Sequence, residues 1–305
     1  MSYRFSLRHS TLVRRATGLA GRILMPMLLI ISLSCGVQAE PVPAVQAEPT
    51  RKAPAEPEPK AEEKSHPLDP ALKVAREGLE YLKANVRDYT CTIIKRERVN
   101  NELGEYQYMS AKIRQQREKQ GTIEVPFSVY LKFLKPKSLA GREVIWVANR
   151  NAGKFVVHEA GLLNFKRAWL PPTGYLAMMG QRYPITDIGV GNLVVQLITK
   201  AERDRKHAEI DVKFFDNSKV NDRSCRMIQV IHPEKRSHFD FHKAQIFIDH
   251  ELKVPIRYAA WSWPEKPGDE PPLLEEYTYV DMKLNVGLTD EDFNPDNKAY
   301  NFPRL

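Results

Sequence analysis

No apolar run in the sequence is long enough for a membrane-spanning helix. The stretch Ile23–Leu33, ILMPMLLIISL, is 11 residues long and contains Pro26, whereas a spanning helix needs about 20 residues. Cysteine is scarce: Cys35, Cys91 and Cys225 are the three in 305 residues, which leaves room for one disulfide. Motifs of hydrolytic and phosphate chemistry are also missing. There is no G-x-S-x-G elbow for a serine hydrolase, and GVGN at Gly189–Asn192 has too few glycines and no lysine for a phosphate loop. The neighbouring carboxylates Glu275 and Glu276 point to opposite faces of a strand, which does not suit shared acid–base work. A binding protein without a cofactor is therefore expected, not an enzyme.

The first 39 residues hold no acidic residue, and Arg4, Arg8, Arg14, Arg15 and Arg22 precede the short apolar run. This is the pattern of a secretory signal peptide over residues 1–39. Val37–Ala39 offers small residues for cleavage, and Ser32–Cys35, SLSC, is similar to a lipobox, which makes Cys35 a candidate for lipidation. The formal net charge of +8 falls to +3 without the five leader arginines, which gives no support to nucleic-acid binding. Residues 40–66, rich in Pro, Ala, Glu and Lys and free of aromatics, read as a disordered linker. The folded domain is then expected over 67–305. In an oxidising compartment Cys91 and Cys225 are expected to pair as a disulfide. The alternative, a catalytic thiol, has no local histidine signature to support it.

Within the domain, Asp69–Val86 opens with an aspartate cap and Pro70, and Leu72, Ala75, Leu79, Leu82 and Val86 form one apolar stripe of a helix. Period-two segments follow from Asp88, separated by turns and glycines, and read as antiparallel strands. Lys95, Arg96, Glu97 and Arg98 put charge on both faces of the first strand, which suggests a rim or sheet edge. A second helix is expected to be capped by Asp187, with Leu193, Leu197 and Ala201 stacked beside Val194 and Ile198. Strands resume to about residue 284, giving about ten strands and two principal helices.

The segment IFIDHELKVPIRYAAWSWP, and the order helix, long hairpins, central helix, further strands, resemble the LolA/LolB-like carriers of the bacterial envelope. More of the chain, including DYTCTIIKRERVN, PFSVYLKFLKP, GREVIWV, RYPITDIGVGNL and EEYTYVDMKLNVGLTDEDFNP, resembles an uncharacterised family of exported bacterial proteins. The resemblance implies a mainly β (α+β) fold: a curved antiparallel half-barrel sheet covered by helices. Its concave face would take lipids or lipoprotein acyl chains. It also implies the alternative of an RseB-like sensor module with an envelope protein as partner. Either role fits an exported protein of the periplasm or cell envelope, membrane-proximal if Cys35 is lipidated.

The apolar residues expected on the concave face are Val129, Leu131, Phe133, Val144, Trp146, Phe155 and Val157, with Leu193 and Leu197 of the covering helix. Trp261 and Trp263 are expected to add an aromatic lip, and Met178 and Met179 an adaptable lid. His238, Asp240 and His242 share one face of an extended segment, a conceivable metal cluster. Histidines on a solvated basic turn are the commoner arrangement, and no metal is expected.

Overall fold

The computed structural model describes residues 65–161 and 166–304. The leader, Cys35 and all but the last two residues of the expected linker lie outside the described residues. His66, at the linker's end, is already tied to the fold, its Nε2 lying 2.8 Å from the carbonyl oxygen of His207. No helix among the described residues is long and apolar enough to cross a membrane.

Helix α1 (Asp69–Asn85) has proline in its first turn and buries Leu72 and Leu82. Its start differs from expectation by one residue. Leu68 occupies the cap position, and Asp69 instead accepts the N–H of His66 and pairs with Arg205. The strands run β1 (Asp88–Val99), β2 (Glu102–Leu103), β3 (Gln107–Arg114), β4 (Arg117–Lys119), β5 (Thr122–Val125), β6 (Ser128–Lys135), β7 (Glu143–Val147), β8 (Phe155–His158) and β9 (Ala168–Leu170). Two helices interrupt them, the single turn α2 (Tyr175–Met178) and α3 (Val190–Asp204). Then come β10 (Asp211–Val220), β11 (Arg223–Ile231), β12 (Lys243–Asp249), β13 (Pro255–Trp261) and β14 (Leu273–Leu284). The sheet order is β10-β11-β12-β13-β14-β1-β3-β6-β7-β8-β9, with β2 on β1 and β4-β5 as a separate ribbon. The fold is thus the expected unclosed, curved antiparallel sheet with covering helices. The short strands β2, β4, β5 and β9 raise the strand count above the expected number.

Successive strands are hairpin neighbours except at one place. There β14, at the end of the chain's strand sequence, pairs with β1, at its beginning, from Tyr89↔Leu284 to Glu97↔Glu275. This seam makes β1 a central strand, so its charged second half marks no edge. Alternation instead sends Lys95 and Glu97 inward, where both are buried. It sends Arg96 and Arg98 outward, where they donate to the carbonyls of Gly104 and Leu273.

Tyr89, Cys91, Ile93, Met109, Ala111, Ile113, Val129 and Leu131 form the inner-face core under the helices. The opposite face of β6–β8 is covered as well. The C-terminal segment lays Phe293 and Phe302 on Tyr130, Ile145, Val147 and Val156. Tyr300 stacks on Tyr130 at 4.2 Å. Lys112–Asp292 and Arg114–Asp290, each 2.7 Å, pin the segment down. Burial on both faces explains why β7, EVIWV, reads as a near-continuous apolar run.

Helix α3 is not capped by Asp187, whose carboxylate instead accepts from Gln196. Its first N–H, on Val190, donates to the hydroxyl of Tyr89 at 2.9 Å. Gly189 precedes it at φ 110, with that same hydroxyl 3.1 Å from where a Cβ would stand. Only glycine accepts both the backbone conformation and the close approach.

The expected disulfide is not formed: Cys91 and Cys225 are both free and buried. Cys91 lies on β1 and Cys225 on β11, with β12, β13 and β14 between them. Strand spacings of about 4.8 Å therefore hold the two Cα atoms well beyond the roughly 7 Å that a disulfide tolerates. Both serve as small buried hydrophobes, and burial pushes the Cys91 thiol up to about 12. In denaturant without reductant, both cysteines should alkylate with iodoacetamide, while the native protein should protect Cys91. Recovery of a disulfide-linked peptide pair by mass spectrometry would contradict this placement.

Candidate functional site

Between the inner face of β1, β3, β6–β8 and β14 and the covering segment 171–189 lies a cavity of about 560 Å³, bounded on one side by α3. Alternation along each strand supplies its walls: Ile93 from β1, Met109 from β3, Leu131 and Phe133 from β6, Val144 from β7, Phe155 and Val157 from β8. Leu193 and Leu197 of α3 and Met179 of the cover complete it.

Other residues expected at this surface stand elsewhere. Val129 is wholly buried in the core behind the cavity. Trp146 packs edge-on against Phe127 and donates its indole N–H to the Gly153 carbonyl. Met178 is half-buried in the cover and is not a wall residue. No aromatic lip forms: Trp261 lies under the ammonium of Lys243, and Trp263 donates to the carbonyl of His232. β13 reaches this cavity with Tyr258, but neither Trp261 nor Trp263 lines it. The histidine-rich segment is also dispersed. The His238 ring stacks on His207 at 3.6 Å, His242 Nδ1 lies 2.9 Å from the carbonyl oxygen of His232, and Asp240 accepts from Lys200 and Arg203.

The polar feature of the cavity was not anticipated. Glu97 and Glu275 are direct cross-strand partners on the β1–β14 seam, both buried and both facing inward. Like charges in that position repel. Two cations offset them. Lys95 Nζ lies 3.2 Å from Glu97 and also donates to the side chain of Gln181. Arg182, from the cover, donates its Nε to Glu275 at 2.7 Å, its backbone N–H to Glu97 at 3.2 Å and its Nη1 to the carbonyl of Arg98 at 3.0 Å. Tyr277 donates to Glu97 and Tyr183 to Glu275. Burial, then the neighbouring carboxylates, push both phenols up, so they stay protonated donors. The sequence signal for this group was present in the period-two placement of Lys95 and Glu97. Its meaning depended on Arg182 and Glu275, which the fold alone brings together. The arrangement offers no free nucleophile or unpaired base; it ties the cover to the seam.

Burial pushes the Glu275 carboxyl above the ordinary range, while Arg182 and Lys200 oppose the rise. A carboxyl raised on folding gives stability that is present in full below its unfolded pKa, about 4.3, and is lost as pH rises through its folded pKa. Arg182→Ala removes the first opposing cation, so the window of loss extends to higher pH. Urea unfolding should show the variant destabilised by about 1–3 kcal/mol near neutral pH, and by distinctly less at about pH 4.5. Equal losses at both pH values would show that Arg182 acts by packing and not by charge.

Among solved structures, similarity is at low identity. A DUF1329 family protein from Desulfovibrio piger is 11% identical over 75% of this chain and 98% of its own, with a TM-score of 0.37. The lipoprotein LppX of Mycobacterium tuberculosis is 11% identical over 72% of this chain and 98% of its own, with a TM-score of 0.38. A LolA superfamily protein from Nitrosomonas europaea is 11% identical over 72% and 97%, with a TM-score of 0.29. No curated protein matches the chain. The model of a family described as a protein of unknown function, DUF1571, matches residues 86–302. That span is well over half of the sequence, and the chain belongs to the DUF1571 family.

Proposed function

We propose that this is an exported envelope protein that binds a lipid, a lipoprotein acyl chain or a similar apolar ligand in the cavity beneath segment 171–189. The observation that carries this reading is the cavity itself. About 560 Å³ of space is walled by Leu, Ile, Val, Met and Phe side chains, within the size range of small-molecule sites. Packed cores do not leave such volume without a cost. The cover adds support, because Tyr175, Leu176 and Met179 are 82%, 62% and 57% exposed beside the cavity. Apolar side chains presented this way suit contact with a greasy donor or acceptor surface. Export is read from the leader pattern of the first 39 residues.

A second reading, a sensor module with a protein partner, is favoured by one observation. Strand β10 is a sheet edge, and Phe214 and Phe215 on it are 37% and 41% exposed, a template for an added strand.

Mass spectrometry of an organic extract of the purified mature protein should find co-purified lipid, and a fluorescent fatty acid should bind with saturation. Ala177 lines the cavity from the cover, so Ala177→Trp should fill space without disturbing the sheet. Probe affinity should fall at least tenfold with the thermal midpoint little changed. A lipid-free extract together with no probe binding would reject the apolar-ligand reading and leave the β10 edge as the surface to test.

A further inference from the structure

A second cavity, of about 450 Å³, lies on the other side of α3, between α1 and the inner face of β11–β13. Its floor is Ile228, Val230, Ile246 and Ile248, and α1 roofs it with Ala71, Leu72, Val74, Ala75 and Tyr81. Helix α3 is the partition. Leu193 and Gln196 face the first cavity, Val194 and Ala201 face the second, and Leu197 and Lys200 border both. Gly78 lines the second cavity from the middle of α1, and no atom lies within 4 Å of where its Cβ would stand. Glycine inside a helix costs roughly 1 kcal/mol relative to alanine. No turn or close backbone approach at Gly78 requires glycine, and the position borders the cavity with open space at its Cβ.

We propose that the ligand is a two-chain lipid, one acyl chain in each cavity, straddling α3 at Leu197. The head group then lies by Lys200, the charged side chain common to both walls. Its ammonium is held by Asp240 at 2.8 Å and the side chain is 24% exposed, at the solvent edge. This rests on the apolar-ligand reading above and specifies its class. Two separate cavities of similar size on either side of one helix fit two chains joined at a head better than one continuous chain, which would have to pass through the packed α3.

The test uses the mature chain, a fluorescent single-chain fatty acid and vesicles of a diacyl phospholipid. The single-chain probe should bind at two sites per protein, and the diacyl lipid should transfer as one molecule per protein by native mass spectrometry. Gly78→Leu should abolish one probe site while leaving the other. Ala177→Trp should do the converse, and each variant alone should cut diacyl uptake at least tenfold. Ala75→Phe, which fills the same second cavity from the next turn of α1, guards against a folding artefact of the glycine substitution. One probe site, blocked by Ala177→Trp and indifferent to Gly78→Leu and Ala75→Phe, would overturn the two-chain proposal and leave the apolar-ligand reading standing. Diacyl uptake unchanged by filling the second cavity would do the same. Absence of any probe binding or uptake would overturn both.

Discussion

The fold turns on the pairing of its first and last strands. β1 and β14 are each 12 residues long, and their ladder joins two hairpin meanders that would otherwise be separate sheets. That pairing places Glu97 opposite Glu275 on the buried face. Repulsion between them would weaken the joint if left alone. Arg182 contacts both carboxylates from outside the sheet. The cover is therefore a condition of the seam's electrostatics as well as a roof. Removing it takes away Arg182 and leaves two facing carboxylates with Lys95 as their immediate cation. A closed cover and an intact seam stabilise each other, and a ligand that enters from this side must work against that coupling.

The same seam sets where apolar volume collects. On the β6–β8 side the C-terminal segment seals the outer face with Phe293, Tyr300 and Phe302. On the β11–β13 side, α1 and α3 press on the inner face with Leu68, Leu72, Leu193 and Leu197. The gaps left on the two sides of α3 are the two cavities. Tyr89 holds the helix that divides them. Its ring lies in the core of β1 and its hydroxyl accepts the first N–H of α3. Cap, core and partition thus meet at one side chain, and the position of α3 is fixed by the strand that also carries Glu97.

How far this was legible in the sequence depended on the range of each interaction. The stripe of α1 and the alternation of β1, β6 and β8 are local, and they placed Leu131, Phe133, Phe155 and Val157 on the correct face without knowledge of their neighbours. Edge or centre is not local. Lys95 and Glu97 read as a rim because the local sequence shows only their pairing with each other; the partners that hold them inside are Gln181, Arg182 and Tyr277. The cap of α3 was assigned to Asp187, two residues before Gly189, when the group that fulfils the role is Tyr89, 101 residues away. Aromatic character suggests a lip for Trp261 and Trp263, but their surroundings are decided by neighbours distant in sequence, Lys243 and the His232 carbonyl, while Tyr258 of the same strand lines the first cavity.

The cysteines show why strand order had to be known before chemistry could be assigned. Two thiols make a plausible pair by count alone in a chain expected to be exported. Each also sits buried in a strand. A single open sheet offers no facing partner. Residues on the same side of it approach only if their strands are neighbours, and β1 and β11 are not. In this architecture a buried thiol behaves as a compact apolar side chain. Burial raises the thiol pKa of both Cys91 and Cys225, which disfavours the thiolate that oxidation requires. The sheet is braced instead by its long central ladder and by layers packed on both faces, a construction that leaves the interior free of cross-links where the cavities lie.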